Sequence, residues 1–117
     1  MVSVVIPTYN SSKYLTQCLN SISKCKNIGE VVISDDNSNH ADVLLLKEII
    51  FNHQLKSKIK LFENNKNKGA YLNKLESVRN ANYDLIYILD SDNVAGFNLD
   101  KVLNKIIKID DESKLYI

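Results

Sequence analysis

The sequence is poor in the residues that mark specialised chains. It has no tryptophan, one proline (Pro7) and three glycines (Gly29, Gly69 and Gly96) in 117 residues. That scarcity excludes a Pro- or Gly-rich linker, a collagen-like repeat and a low-complexity tract, and the length suits one small domain. It also excludes the common glycine-rich phosphate loops. Asn65-Lys66-Asn67-Lys68-Gly69-Ala70 lacks the second glycine and the Lys-Ser/Thr of a P-loop, and no Gly-x-Gly-x-x-Gly occurs. Cys18 and Cys25 are the only cysteines, too few for a disulfide framework, and no Cys or His pair has zinc-ligand spacing. They are expected on one helix face, as small apolar side chains in a reducing compartment, which makes the expected location cytoplasmic.

Arginine is almost missing as well. Lysine and arginine together number 15 against 14 acidic residues, for a net charge of +1, and Arg79 is the single arginine. A balanced chain without guanidinium forks has no footprint for nucleic acid or for an anionic membrane. Long apolar runs are absent too: stretches such as 43–46 fall far short of the ~20 residues of a membrane span. The start, Met1-Val2-Ser3-Val4-Val5-Ile6, lacks the basic region of a signal peptide. No nucleic-acid partner and no transmembrane segment are expected.

What is present has the balance of a globular chain, with 44% hydrophobic and 25% charged residues. Short aliphatic runs fall at 2–6, 30–34, 58–62, 84–89 and 114–117, so one begins roughly every 28 residues. Each gap holds a helical pattern with 3–4 spacing. Tyr14, Leu15, Cys18, Leu19 and Ile22 mark the first, behind a Ser11/Ser12 cap. Val43, Leu46, Ile49 and Ile50 mark the second, and Leu72, Leu75 and Val78 the third. Leu99, Val102, Leu103, Ile106 and Ile107 mark the fourth, behind a possible Asn98 cap. Strand and helix alternating at this spacing predict an α/β three-layer sandwich, a mostly parallel sheet with helices on both faces.

Ligands of such sheets bind at the carboxyl ends of the strands. Four polar loops would gather there, at 7–12, 35–40, 63–69 and 90–96. Asp90-Ser91-Asp92 follows a buried run, and two carboxylates at i and i+2 can share one hard cation such as Mg²⁺ or Mn²⁺. The same pair also suits a polar turn. Asp35-Asp36 can accept from a ribose hydroxyl or a base N–H, or simply form an Asx turn that caps the next helix. Tyr9 can stack on a base or fill a helix entry, and Lys74 sits one turn into the helix that faces the crevice.

Together these blocks resemble a known family. Ser3-Val4-Val5-Ile6-Pro7-Thr8-Tyr9-Asn10, Val31-Val32-Ile33-Ser34-Asp35-Asp36-Asn37-Ser38, Asn67-Lys68-Gly69 and Ile88-Leu89-Asp90-Ser91-Asp92-Asn93 look like the ordered blocks of family 2 glycosyltransferases. The family consists of inverting enzymes of the GT-A fold. The resemblance implies a nucleotide-diphosphate sugar donor, a UDP- or dTDP-sugar, bound with Mn²⁺ or Mg²⁺ for transfer to a glycan or polysaccharide acceptor. It places Pro7, Thr8 and Tyr9 beside the nucleoside and Asp36 at the uracil edge. Asp90 and Ser91 would lie near the ribose and diphosphate, and the metal ligands would be Asp90 and Asp92, with Asp92 the principal one. Lys74 and Leu75 stand where the family often has Arg-Asn, so the phosphate charge is kept without the fork. Asn93 stands where many members have a further Asp.

No catalytic base is assigned. Only Asp100, Asp110, Asp111 and Glu112 carry carboxylates beyond Asp92, on a helix and its end. Residues 1–117 are therefore expected to be a single domain, the N-terminal donor-binding part of a larger enzyme cut inside a fifth strand. Such a part would be weakly active or inactive alone and, in the full-length protein, would work at the inner face of the membrane. Two other readings stand beside this one. A non-catalytic nucleotide-binding module would use the same loops. Asp90-Ser91-Asp92-Asn93-Val94 also fits the nucleophile motif of haloacid-dehalogenase-type phosphatases, although that motif usually opens its chain.

Overall fold

The computed structural model describes residues 1–96 and 98–113, so the strand expected at 114–117 lies outside the described residues. Strands β1 (Val2–Thr8), β2 (Ile28–Asp35), β3 (Ile59–Glu63) and β4 (Leu85–Ile88) alternate with helices α1 (Ser12–Ile22), α2 (His40–Asn52), α3 (Ala70–Arg79) and α4 (Leu99–Ser113). A 3₁₀ turn, Lys56–Lys58, leads into β3. All strand pairs are parallel and the order is β3-β2-β1-β4. The chain steps outward from β1 to β3 and then returns to the other side of β1. That reversal is where an α/β sheet opens a crevice at its carboxyl end. The expected parallel α/β architecture is what the structure has.

The two faces of the sheet differ, because alternate strand residues point to opposite sides. On one side Val4, Ile6, Val31 and Ile33 join a single apolar cluster with Leu15, Cys18, Leu19 and Ile22 of α1. Leu46 of α2 and Leu99, Leu103 and Ile106 of α4 complete it. Complete burial of each large aliphatic side chain contributes about 1.5–3 kcal/mol. The other side, under α3, mixes Val5 and Val32 with buried Ser3, Glu30 and Ser34.

That mixed face explains why α3 departs from its apolar periodicity. Leu72 and Leu75 were expected inward, yet they are exposed, and Asn73 and Ser77 are buried instead. The Asn73 amide donates to the Ser34 carbonyl at 2.9 Å. A buried polar sheet face needs hydrogen-bonding partners, and that demand outweighs the transfer energy of two leucines. Cys25 departs from expectation as well. Helix α1 ends at Ile22, where Ser23 Oγ bonds back to the Asn20 carbonyl, so Cys25 lies in the turn beyond rather than on a shared face with Cys18. Both thiols are free.

One buried carboxylate of β2 joins β1, β3 and the segment that leads into β4 at the amino end of the sheet. Glu30 accepts from Ser3 Oγ at 2.6 Å, Lys60 Nζ at 2.9 Å and Asn82 Nδ2 at 3.0 Å, and also from the Asn82 backbone N–H. Gly29 beside it leaves room for the Tyr83 ring, which would have to shift to admit a β-carbon there. Burial alone would raise the Glu30 pKa, but the hydrogen bonds from Ser3, Asn82 and Lys60 outweigh it and hold the carboxyl at about 2, against 4.5 unperturbed. The folded pKa is the lower one, so this stability is complete above pH 4.5 and is lost as pH falls towards 2. Denaturant titrations from pH 7 to 2 should show wild type losing about 2–3 kcal/mol more than Glu30→Gln over that window. Parallel curves would refute the assignment.

Candidate functional site

The loops after β1, β2, β3 and β4 meet in one cleft of about 780 Å³ at the carboxyl edge of the sheet. Its wall includes Pro7, Thr8, Tyr9, Asp36, Lys74, Asp90, Ser91 and Asp92, whereas Asp35, the other member of the acidic pair, does not line it. The size is that of an ordinary small-molecule site.

Two adjacent carboxylates at the end of β2 organise the inner wall. Asp35 accepts from Thr8 Oγ1 at 2.7 Å, Ser38 Oγ at 2.7 Å and the Ser38 N–H at 3.0 Å. Ser38 Oγ in turn accepts the Asn10 N–H, and Asn10 Oδ1 accepts the Asn39 N–H, so the first two loops are stitched together. Asn10 takes φ 48° and Asn37 φ 59°, the left-handed region that asparagine tolerates better than most residues. Asp36 reaches the third loop: Oδ1 accepts from the Lys68 N–H at 2.7 Å and Asn64 Nδ2 at 2.9 Å, and Oδ2 accepts from the Gly69 N–H at 2.9 Å. Gly69 sits at φ 91° immediately before α3, a backbone state open chiefly to glycine. The Asp-Asp pair is therefore both an Asx-type turn and a clamp. Three of the roughly four lone-pair sites on Asp36 are used, which leaves one for a ligand N–H.

The outer wall is looser. Ser91 is buried and donates to Ser11 Oγ at 2.8 Å, tying the loop after β4 to the loop after β1. Asp90 and Asp92, on either side of it, are exposed. Lys74 Nζ stands 3.4 Å from Asp90 Oδ1. Tyr9 and Tyr14 present exposed rings at the mouth, beside Lys13. Asp90 and Asp92 are the residues that could hold a cation. Among the described residues no group of three or more His, Cys, Asp or Glu side chains forms a complete metal cage. Two carboxylates in the open suit a hard cation whose other positions are filled by ligand oxygens and water.

Asn73, Asn67, Gly69, Lys13, Tyr14, Asn10 and Ser11 also line the cleft. The asparagine tract at 64–67 and the break that Asn73 makes in the apolar pattern of α3 are the signals that point to some of them. Asp100 stands apart, accepting from Asn27 Nδ2 at 2.9 Å near the amino end of β2. The Cys18 thiol lies under the Asp90 carbonyl, at 3.8 Å. Burial first, then the Asp92 and Asp90 carboxylates, push it up to about 12. Folded protein at pH 8 should leave Cys18 unlabelled by iodoacetamide while Cys25 reacts slowly, and both should react in guanidinium; rapid labelling of Cys18 in the native state would contradict this.

The geometry has counterparts. A family model described as Glycosyl transferase family 2 matches residues 3–114. A dolichyl N-acetyl-α-D-glucosaminyl phosphate 3-β-D-2,3-diacetamido-2,3-dideoxy-β-D-glucuronosyltransferase of Methanococcus voltae is 33% identical over 90 residues, covering 74% of this chain and 27% of the relative. The Staphylococcus aureus poly(ribitol-phosphate) β-N-acetylglucosaminyltransferase TarS is 32% identical over 93 residues, 77% of this chain and 16% of TarS. The structure of TarS 1-349 with UDP-GlcNAc superposes with a TM-score of 0.73 at 25% identity, over 94% of this chain and 32% of that one. This chain thus spans about a third of that structure or less of these relatives. A match from residue 3 to residue 114, on a parallel sheet with the cleft at its carboxyl end, means that the chain belongs to glycosyltransferase family 2.

Proposed function

We propose that the chain is the donor-binding portion of an inverting glycosyltransferase, taking a nucleoside-diphosphate sugar, a UDP- or dTDP-sugar, together with Mn²⁺ or Mg²⁺, for transfer to a glycan or polysaccharide acceptor. The observation that carries the reading is the shared cleft. It sets an exposed aromatic ring, a buried carboxylate clamp, an ammonium and two exposed carboxylates around one cavity. TarS, which has the same fold, is known with UDP-GlcNAc, and that supports the donor class.

In this reading the nucleoside lies against Pro7, the Thr8 backbone and Tyr9, whose ring can stack on the base. The remaining lone pair of Asp36 accepts a base N–H. Ser91 is fixed by Ser11 and orients the diphosphate end, where Lys74 supplies a positive charge. Asp90 and Asp92 would hold the cation, which when bound offsets the negative charge on the departing diphosphate. The residues fit that group by donor type and exposure. No residue here is given the role of general base: Asp100 is engaged by Asn27 away from the cleft, and Asp110, Asp111 and Glu112 belong to the last turns of α4. A nucleotide-activated donor and two free thiols suit a cytoplasmic place of work, at the inner membrane face where the acceptor is a growing surface glycan.

Calorimetry with UDP and Mn²⁺ tests the reading. Metal-dependent binding is expected at millimolar ligand or below, weakened at least tenfold in Asp92→Asn. Absence of metal-dependent heat at millimolar UDP would refute it. UDP binding without turnover of any UDP-sugar by the complete protein would favour a binding module instead.

A further inference from the structure

We infer that Lys74 is a built-in counter-cation for Asp90, one that makes divalent-metal binding at this cleft conditional on a phosphorylated ligand. The inference rests on the nucleotide-sugar reading above and adds a rule for the order in which the site fills.

The geometry comes first. Lys74 Nζ lies 3.4 Å from Asp90 Oδ1, while among the described residues Asp92 has no ion-pair partner. With Lys74 in place, the Asp90–Asp92 pair presents a net charge of about −1 instead of −2. A dication approaching those carboxylates meets the ammonium at close range and is repelled by it. The helix that carries the ammonium is held in place. The preceding residue, Asn73, donates to the Ser34 carbonyl at 2.9 Å and accepts from Asn64 at 3.0 Å, and Ser77 Oγ bonds the Lys74 carbonyl at 2.6 Å. The backbone that carries Lys74 is therefore anchored to β2 and cannot easily turn away from the cleft.

The pair is poised to exchange. Its side chains are 43% and 51% exposed, and ion pairs so exposed are weak. A diphosphate entering the cleft offers the ammonium a second anion with more charge, so Lys74 can transfer its contact from Asp90 to phosphate oxygen. Asp90 is then released to act beside Asp92. By linkage, a ligand that removes the repelling charge tightens metal binding, and the metal tightens ligand binding by the same factor. A metal alone would bind poorly, so the cleft would not be filled by free cation before the donor arrives.

The test is the affinity for Mn²⁺ alone, read from the electron paramagnetic resonance signal of free Mn²⁺ at low ionic strength, with and without UDP. Lys74→Met should bind Mn²⁺ alone about three- to tenfold more tightly than wild type. Lys74→Arg, which keeps the charge, should stay within about twofold of wild type. UDP should strengthen Mn²⁺ binding in wild type by a larger factor than in Lys74→Met. Lys74 is half exposed, so the variant should fold, and an unchanged thermal unfolding midpoint checks that. Unchanged or weaker Mn²⁺ binding by Lys74→Met, with UDP–Mn²⁺ binding intact in wild type, overturns the counter-cation and leaves the nucleotide-sugar reading standing. Wild type that binds no Mn²⁺ even with UDP overturns both.

Discussion

Two neighbouring carboxylates, Asp35 and Asp36, are almost completely buried at the end of β2, 1% and 2% exposed, and a buried negative charge is tolerated only when its oxygens are satisfied. The partners come from the end of β1 and from the loops after β2 and β3. Asp35 draws in Thr8 and Ser38, and Asp36 draws in Asn64, Lys68 and Gly69. One electrostatic requirement therefore sets the shape of the inner wall of the cleft. Loss of Asp35 would free the end of β1 from the loop after β2, and loss of Asp36 would free the loop after β3.

The cleft accordingly has a firm side and a soft side. Around Asp35 and Asp36 the loop contacts are short and buried. Around Asp90 and Asp92 the carboxylates face solvent and the one ion pair is exposed. The firm side suits the flat, uncharged part of a ligand, for which a preformed surface lowers the ordering cost of binding. The soft side suits the charged part, where several anions and cations must be rearranged as the ligand settles.

Much of this was legible in the residues. The strand and helix period marked β1 to β4 and α1 to α4, because both depend on local spacing of apolar side chains. The position of the cleft was legible because the crevice of a parallel sheet must lie where its strands end. Helix α3 was not, since Leu72 and Leu75 advertise a face that tertiary hydrogen bonding turns outward. The internal commitments of Asp36 were not legible either. Its partners Asn64 and Lys68 lie 28 and 32 residues away, and only the folded register of β2 and β3 brings them near. Cys25 illustrates the limit of spacing, since a helix can end one turn before the periodicity suggests.

The seating of α3 has a mechanical meaning. A helix held by apolar contact can slide or roll by a fraction of a turn at little cost, because such contact has no preferred direction. A helix held by the Asn73 amide cannot, because a small rotation breaks a directional bond and strands a buried polar group. The polar underside of α3 thus gives up packing strength for a fixed rotation, and the backbone of Lys74 inherits that fixed setting while its long side chain stays free to change partners.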